Sequence, residues 1–162
     1  MQLRADDRLR AKIAANLAAH DRSSEPDPSL WPAAVAMTVV ANEAGDACFV
    51  ITRRVSSLRN HSGQWALPGG RIDVGEDPVR AALRELDEEV GLACPADSVL
   101  GLLDDYPTRS GFRITPVVVW AGTDVVLTPN RGEVAEVHRV PLEGLDAPGI
   151  PKLFDLEESD RP

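Results

Sequence analysis

The spacing of apolar residues changes from a helical period near the N-terminus to strand-like runs further along the chain. Leu9, Ile13 and Leu17 recur on one side of residues 6–20, which predicts a helix over that segment. Residues 21–32 are rich in Ser, Pro, Asp and Glu, and this composition predicts a linker. We therefore expect the chain to begin with one helix and a linker before its first strand.

Short apolar runs dominate the rest of the chain and predict β-strands. Residues 33–41 and 47–52 flank the turn-forming segment 42–46, so they predict a hairpin. The other predicted strands are two short ones at 65–70 and 71–74, two longer ones at 98–106 and 114–121, and a last one at 134–140, before a short helix at 141–145. Because helices are interspersed singly among many strands, the expected fold class is α+β or mixed α/β.

A second helix is predicted over residues 78–90. Pro78 suits its first turn, and Gly91 suits its C-terminal cap. We expect a single domain over residues 1–162, since this length fits one domain. The tail at 156–162 offers little to bury, so we expect it either to stop short of a final helix or to be disordered.

Composition limits what this chain is expected to bind. Its net charge of −9 argues against a general nucleic-acid binder, which needs a basic patch. Cys48 and Cys94 form neither a CxxC pair nor a zinc-binding spacing, so we expect reduced thiols in a cytoplasmic protein. Residues 1–10 do not resemble a signal peptide, and no apolar run is long enough to cross a bilayer, so no membrane contact is expected.

The predicted helix at 78–90 carries a high density of acids. Glu85, Glu88 and Glu89 stand at positions i, i+3 and i+4, so they share one face and repel one another. A divalent cation would relieve that repulsion, because hard cations take carboxylate oxygens as ligands. Taken alone, the acids have a competing interpretation, which is an ordinary solvated helix face.

The acids belong to a longer pattern of fixed spacing. Gly70 is followed after five residues by Glu76, and after seven more by the run RELDEEVGL at 84–92. This pattern over residues 70–92 resembles the defining box of the Nudix hydrolase family and departs from it at no position. The resemblance implies an α/β/α sandwich, with a mixed sheet flanked by helices, in which the box forms a loop, a helix and a loop.

The resemblance also implies a reaction, which is hydrolysis of a nucleoside diphosphate linked to another group. The implied cofactor is Mg²⁺ or Mn²⁺, and its implied ligands are three carboxylates and one backbone carbonyl: Glu85, Glu89, Glu88 and Gly70. The implied catalytic side chains are four charged residues of the box: Glu76, Arg84, Glu88 and Glu89. Within this set, Glu88 is either a further ligand or a supporting group, and Arg84 forms an orienting salt bridge with Glu76.

The general base stays open at the level of the sequence. Several acids at one site hold protons more tightly than an isolated acid, so a glutamate of the box is one candidate. Glu133 and Glu136 are the downstream candidates. Surface charge is the competing interpretation of both.

The segment before the box resembles the corresponding segment of the coenzyme A pyrophosphatases within the same family. The matching positions are a threonine, two arginines, a proline and three glycines at fixed spacing: Thr52, Arg54, Arg59, Gly63, Pro68, Gly69 and Gly70. Val55 and Leu67 depart from the subfamily pattern. The implied substrate is coenzyme A or acyl-coenzyme A, and the implied contacts are four residues of this segment, in which the guanidinium groups bind phosphate: Arg54, Arg59, His61 and Gly63. The competing interpretations are that Arg54 ends a strand and faces water, that Arg59 holds the loop by hydrogen bonds to carbonyls, and that His61 has a structural role in the loop.

Two alternatives to this prediction remain. One keeps the chemistry and changes the substrate to ADP-ribose, NADH or a nucleoside triphosphate. The other is a catalytically silent module that binds a nucleotide, which the intact box disfavours. The predicted partner is a small nucleotide substrate similar to coenzyme A. A homodimer, in which a second copy of the chain is the partner, is a further hypothesis.

Overall fold

A mixed β-sheet with a helix on each face forms the described part of the chain. The computed structural model describes residues 2–56 and 63–150. Its helices are α1 (Asp7–Ala19) and α2 (Pro78–Val90). Its strands are β1 (Trp31–Ala41), β2 (Ala47–Arg54), β3 (Trp65–Ala66), β4 (Gly69–Arg71), β5 (Val99–Leu102), β6 (Tyr106–Pro107), β7 (Phe112–Gly122) and β8 (Val134–Pro141). Two 3₁₀ helices, Ala96–Ser98 and Leu142–Asp146, precede β5 and follow β8.

The sheet combines one parallel pair with antiparallel pairs. Its strand order is β3-β2-β1-β7-β5, with β4 beside β1, β6 beside β7 and β8 beside β2. The parallel pair is β1 with β7, in which Ala36 lies opposite Val117. The β1–β2 pair is the predicted hairpin, with Val39 opposite Phe49. This mixed sheet confirms the predicted α+β class.

Alternation along β1 sends its side chains to both faces of the sheet. Ala34 and Ala36 point to one face, where they pack in a buried cluster with Leu86 of α2. Val39 points to the other face, where it packs with Leu9 of α1. The small alanines let α2 lie close to the sheet, and this contact fixes the helix that carries the acids.

Most predicted elements are confirmed, and the differences have local causes. Helices were expected at 6–20 and 78–90, and both are present. β1 begins at Trp31, inside the predicted linker, because Trp31 already pairs with Phe112 in the parallel ladder. The segment predicted as one strand at 65–70 is two short strands, β3 and β4.

Three further predictions are corrected by the structure. The strand predicted at 71–74 ends at Arg71, because the N–H of Asp73 donates to the carboxylate of Glu76 and closes a turn. The strand predicted at 98–106 is divided between β5 and β6, and the helix predicted at 141–145 is a 3₁₀ helix.

The ends of the chain bear on two other expectations. The tail at 156–162 lies outside the described residues. Within the part of the chain that the structure describes, no helix is both long and apolar enough to span a membrane.

Candidate active site

Capping residues set the limits of α2. The apolar side of this helix is buried, and one of its carboxylates is buried with it. Asp77 accepts a hydrogen bond from the N–H of Arg80, and Pro78 fills the first turn, where an N–H has no helical partner. Gly91 ends the helix at a φ of 66°, a left-handed conformation that glycine adopts without strain. The buried residues of the helix are four apolar side chains and one acid: Ala81, Ala82, Leu86, Val90 and Glu89.

Glu89 is the buried acid of the helix, and Glu85 beside it is partly buried. Glu89 is 5% exposed, and its carboxylate accepts a hydrogen bond from the backbone N–H of Gly69. Burial, and then the charge of Glu85, raise the pKa of Glu89 to about 8. Burial also raises the pKa of Glu85, against the opposing effect of Arg84. Two acids with raised pKa values therefore lie side by side, and this concentration of negative charge favours a cation at this place.

The two glycines before the helix, Gly69 and Gly70, let β4 lie close both to β1 and to the side chain of Glu85. A Cβ atom at position 70 would overlap Oε1 of Glu85, and a Cβ atom at position 69 would overlap the carbonyl oxygen of Ala34. A larger residue at position 70 would therefore displace the carboxylate of Glu85 or push α2 from β4, and one at position 69 would push β4 from β1. The structure thus places the backbone of Gly70 directly beside Glu85.

Arg84 connects the loop of the box to the acids of the helix. Its Nε and Nη2 donate to the two oxygens of Glu76 at 2.9 and 3.0 Å, which is a bidentate pair. Its Nη1 donates to Glu85 at 3.0 Å and to Glu88 at 3.3 Å. The hydrogen bonds from Arg84 lower the pKa of Glu76, and the same bonds raise the pKa of Arg84. Glu88 is the most exposed of these acids, with 54% of its side chain accessible.

A later loop brings a further acid to the end of α2. The N–H of Asn130 donates to the carbonyl of Glu89 at 2.8 Å, and the N–H of Glu133 donates to the carbonyl of Asn130 at 3.0 Å. The charge of Glu133 contributes to the raised pKa of both Glu85 and Glu89. Asn130 was missed at the level of the sequence. Its signal was an Asn-Arg-Gly turn, in which Asn130 Oδ1 accepts from the N–H of Gly132.

The other downstream candidate, Glu136, lies in a different environment. Its carboxylate accepts a hydrogen bond from Arg53 and pairs at 3.0 Å with Nε2 of His138. These interactions lower its pKa. His138 also meets the ring of Trp65 edge-on, at 5.1 Å between centroids. Glu136 therefore belongs to a surface cluster on β2, β3 and β8, apart from the acids of the helix.

Arg54 ends β2 with its charge close to Glu89. Its positive charge opposes the rise in the pKa of Glu89. Within residues 2–56 and 63–150, the buried Nε of Arg54 has no hydrogen-bond partner. A buried donor of this kind is costly unless a ligand satisfies it. Gly63 lies in a turn with a φ of 68°, while Arg59 and His61 lie outside the described residues.

The donor set fits a divalent cation in its chemistry. Carboxylates and a backbone carbonyl are the ligands that Mg²⁺ and Mn²⁺ take. Among the described side chains, no three His, Cys, Asp or Glu residues lie close enough together to hold a metal ion. The Nη1 of Arg84 donates to oxygens of both Glu85 and Glu88, so part of this donor set is already engaged. Binding of a cation by these acids requires Nη1 to share or release them.

Comparison of the sequence with known proteins identifies related hydrolases. A family profile described as the NUDIX domain matches residues 31–160. A protein of Pectobacterium atrosepticum called an uncharacterized Nudix hydrolase NudL is 37% identical over 137 residues, which cover 80% of this chain and 69% of that protein. The chain spans about half the length of other NudL proteins, such as 56% of the one from Yersinia enterocolitica, which is also 37% identical.

Solved structures share the architecture. The Nudix hydrolase RenU of M. smegmatis is 28% identical, and the match covers 77% of this chain and 80% of that chain at a TM-score of 0.55. The NUDIX domain of Shewanella oneidensis NrtR, solved with ADP ribose, is 20% identical, with 81% of this chain and 84% of that chain covered at a TM-score of 0.56. At 20% identity, the likeness to the NrtR domain shows a common fold.

Proposed function

The chain belongs to the Nudix hydrolase family, whose members act on nucleoside diphosphate derivatives, and we propose that it hydrolyses the diphosphate linkage of coenzyme A or acyl-coenzyme A. The observation that carries the proposal is the placement of the buried Glu89 and the partly buried Glu85 beside Gly70 and the cationic Arg54. The acids suit a divalent cation, and the guanidinium suits a phosphate. The motif at 50–63 supports coenzyme A within this class of substrates.

Glu85 and Glu89 would hold Mg²⁺ or Mn²⁺, with Glu88 and the carbonyl of Gly70 as further ligands. When bound, such an ion neutralises the charge of the diphosphate and lowers the pKa of a water molecule. The burial of Glu89 keeps water from one side of the site, which strengthens each electrostatic contact there. Arg84 orients Glu85 by a hydrogen bond.

Glu133 is the general base of the proposed reaction. It is exposed and can reach a water molecule, whereas the oxygens of Glu85 and Glu89 are needed for the cation. As the oxygen of water forms its bond to phosphorus, the bond from phosphorus to the leaving phosphate oxygen breaks, and the proton of water passes to Glu133. Glu136 is less suitable, because its carboxylate is already paired with two side chains.

Arg54 is the proposed contact to the diphosphate itself. A phosphate oxygen would accept the hydrogen bond that the buried Nε offers, since that donor has no partner among the described residues. Arg59, His61 and Gly63 stay predicted contacts on the segment that follows β2.

Product analysis tests the proposal. The protein is incubated with coenzyme A and Mg²⁺ or Mn²⁺, and the expected products are a phosphopantetheine and adenosine 3′,5′-bisphosphate. ADP-ribose, NADH and nucleoside triphosphates serve as competing substrates. Cleavage of ADP-ribose while coenzyme A stays intact would overturn the substrate assignment, and no turnover of any substrate would favour the silent module. Light scattering of the same sample tests the predicted homodimer.

A further inference from the structure

The segment before β8 packs on the C-terminal end of α2. Within residues 128–133, here called the Asn130 loop, the N–H of Thr128 donates to the carbonyl of Val90 at 2.7 Å. The N–H of Asn130 donates to the carbonyl of Glu89 at 2.8 Å. The last carbonyls of a helix have no partner within the helix, so these bonds satisfy two of them. The Asn130 loop is therefore attached to α2 at the residue whose side chain is the proposed cation ligand.

Gly91 makes room for this attachment. A Cβ atom at position 91 would lie only 2.9 Å from the carbonyl oxygen of Thr128. Since that oxygen belongs to the backbone, a larger residue would push the Asn130 loop away from α2. The glycine that ends the helix thus also allows the Asn130 loop to dock on it.

Asn130 forms the turn that carries Glu133. Its backbone carbonyl accepts hydrogen bonds from the N–H of Glu133 at 3.0 Å and from the N–H of Val134 at 2.8 Å. Its side-chain oxygen Oδ1 accepts from the N–H of Gly132 at 3.1 Å. Asparagine favours such a turn, because its short side chain bonds to the backbone two residues further on. An alanine at position 130 would keep the backbone carbonyl and lose the side-chain bond.

The backbone of Glu133 has a second attachment. Its carbonyl accepts a hydrogen bond from the N–H of Val55 at 3.0 Å, directly after the end of β2. Glu133 is thus joined to α2 through Asn130 and to β2 through Val55. All of these bonds use backbone groups of Glu133, so its exposed carboxylate takes no part in them. Glu133 is anchored by its main chain, and its side chain is left available for proton transfer.

We propose that Asn130 is a positioning residue, whose side chain orders the turn that sets the carboxylate of Glu133 relative to that of Glu89. This inference rests on the proposed function, because it takes Glu133 as the general base. Misplacing a catalytic group by about 1 Å costs about 10²-fold in rate, so a turn that fixes the base contributes to kcat. Asn130 acts through the two glutamates and not on the substrate itself.

The charge of the site favours asparagine over aspartate at position 130. Aspartate forms the same kind of turn, but it would add a negative charge at the C-terminal end of α2, where the helix dipole and Glu89 disfavour one. Serine keeps a hydrogen-bond acceptor without the charge. Asn130→Ser is therefore the conservative variant, and Asn130→Ala is the variant that removes the bond.

Steady-state kinetics with coenzyme A and Mg²⁺ test the role of Asn130. We expect Asn130→Ala to lower kcat about tenfold, which is the order of one hydrogen bond, with little change in KM. Asn130→Ser is expected to recover part of this loss. In a chain that already carries Glu133→Gln, Asn130→Ala is expected to lower kcat no further, because a missing base cannot be misplaced.

Asn42→Ala is the matched control. The side chain of Asn42 also accepts a hydrogen bond from a backbone N–H, that of Asp46 at 2.9 Å, in the turn between β1 and β2. Its loss removes a comparable bond from a turn that does not carry Glu133. We expect kcat of Asn42→Ala to equal that of the unaltered chain.

Amide hydrogen exchange tests the turn without substrate, added cation or turnover. In Asn130→Ala the amides of Glu133 and Val134 keep their acceptor, the backbone carbonyl of residue 130, so faster exchange reports a loosened turn. We expect their exchange to accelerate about tenfold. The amide of Thr128 is expected to exchange as before, because its bond to α2 does not involve Asn130. Asn42→Ala is expected to leave all three amides unchanged.

Two kinetic results would overturn the inference. One is an unchanged kcat in Asn130→Ala. The other is a further loss of kcat when Asn130→Ala is added to Glu133→Gln, since Asn130 would then act otherwise than through Glu133. Thermal unfolding shows which variants are folded, and Asn130→Ser replaces Asn130→Ala in every comparison if the latter does not fold.

Failure of the proposed function is distinguishable from failure of this inference. If the unaltered chain cleaves ADP-ribose and not coenzyme A, the substrate assignment fails, and the same kinetics with ADP-ribose test Asn130. If it cleaves no substrate, the proposed function fails and hydrogen exchange decides. Faster exchange at Glu133 and Val134 in Asn130→Ala then supports the ordering of the turn, and equal exchange overturns it.

Discussion

Glu76 and Glu89 belong to one motif and have the same side chain, yet their pKa values shift in opposite directions. Glu76 accepts two hydrogen bonds from Arg84, and this pairing lowers its pKa. Glu89 is buried next to Glu85, and its pKa rises to about 8. Burying a carboxylate without a matching cation costs far more than pairing it with an arginine. The comparison separates an acid that organises the site from an acid that needs a positive ligand.

Glu89→Gln is expected to have the largest effect. Loss of this carboxylate removes several kcal/mol of charge stabilisation, so kcat/KM is expected to fall by about 10³-fold or more. Steady-state kinetics with coenzyme A and Mg²⁺ measure the loss. Asp87→Asn, on the exposed side of the same helix, is the matched control and is expected to leave kcat/KM unchanged. Equal activity of Glu89→Gln and the unaltered chain would remove Glu89 from the metal site.

The second test compares Glu133→Gln with Glu136→Gln. Loss of a general base lowers kcat by about 10²-fold or more, with little change in KM, and we expect this for Glu133→Gln alone. Glu136→Gln removes only partly exposed pairs with Arg53 and His138, so its kcat is expected to stay close to that of the unaltered chain. Steady-state kinetics of both variants, taken up to saturating coenzyme A, measure kcat and KM and show which glutamate acts as the base. A larger loss of kcat in Glu136→Gln than in Glu133→Gln would assign the general base to Glu136 on β8.

The third test uses the raised pKa of Glu89 in protein freed of divalent cations. The folded chain keeps this proton up to about pH 8, while the ordinary pKa of a glutamate is 4.5. Between these values the folded chain holds more protons than the unfolded chain, so the free energy of unfolding falls as pH rises. From about pH 6 to about pH 8.5 the expected fall is about 2 kcal/mol, measured by urea denaturation.

Glu89→Gln is the control for this pH dependence, because glutamine does not titrate. Between about pH 6 and about pH 8.5, the free energy of unfolding of this variant is expected to fall by about 2 kcal/mol less than that of the unaltered chain. An identical slope in the variant and the unaltered chain would assign the effect to another group.

The smallest expected effect tests the role of Glu76. Glu76→Gln loosens the bidentate grip on Arg84, and affinity for Mn²⁺ is expected to fall by about tenfold, as when a group that orients metal ligands is lost. Titration with Mn²⁺ measures the change. Asp73→Asn, whose carboxylate lies 3.6 Å from the same guanidinium and is 73% exposed, is expected to change the affinity less. Unchanged affinity in Glu76→Gln would make the pair with Arg84 unimportant for the metal.

Local signals were sufficient to predict α2 and the hairpin. Pro78 and Gly91 mark the ends of the helix through backbone preferences of those two residue types, and the helix runs between them as predicted. The strand predicted at 71–74 was wrong, because the carboxylate of Glu76 closes a turn on Asp73. That bond is formed by a side chain, which an apolar pattern does not register.

The difference between Glu133 and Glu136 was beyond the reach of the sequence. The two acids are three residues apart, at and just before the start of the strand predicted over 134–140. The docking of Asn130 on the end of α2 carries Glu133 toward the acids of the helix, while the pairing of β8 with β2 sets Glu136 opposite Arg53. Both results depend on contacts between segments far apart in the chain.

The sequence by itself determined the limits of α2, the presence of three glutamates on one face of it and the glycines before it. These features depend on residue type and spacing within about twenty residues. Only the tertiary structure decided that Glu89 is buried, that Arg84 pairs with Glu76, and that Arg71 stacks over Trp31. The physical reason is that burial and electrostatic interaction depend on distances between segments that folding brings together, and no local pattern contains those distances.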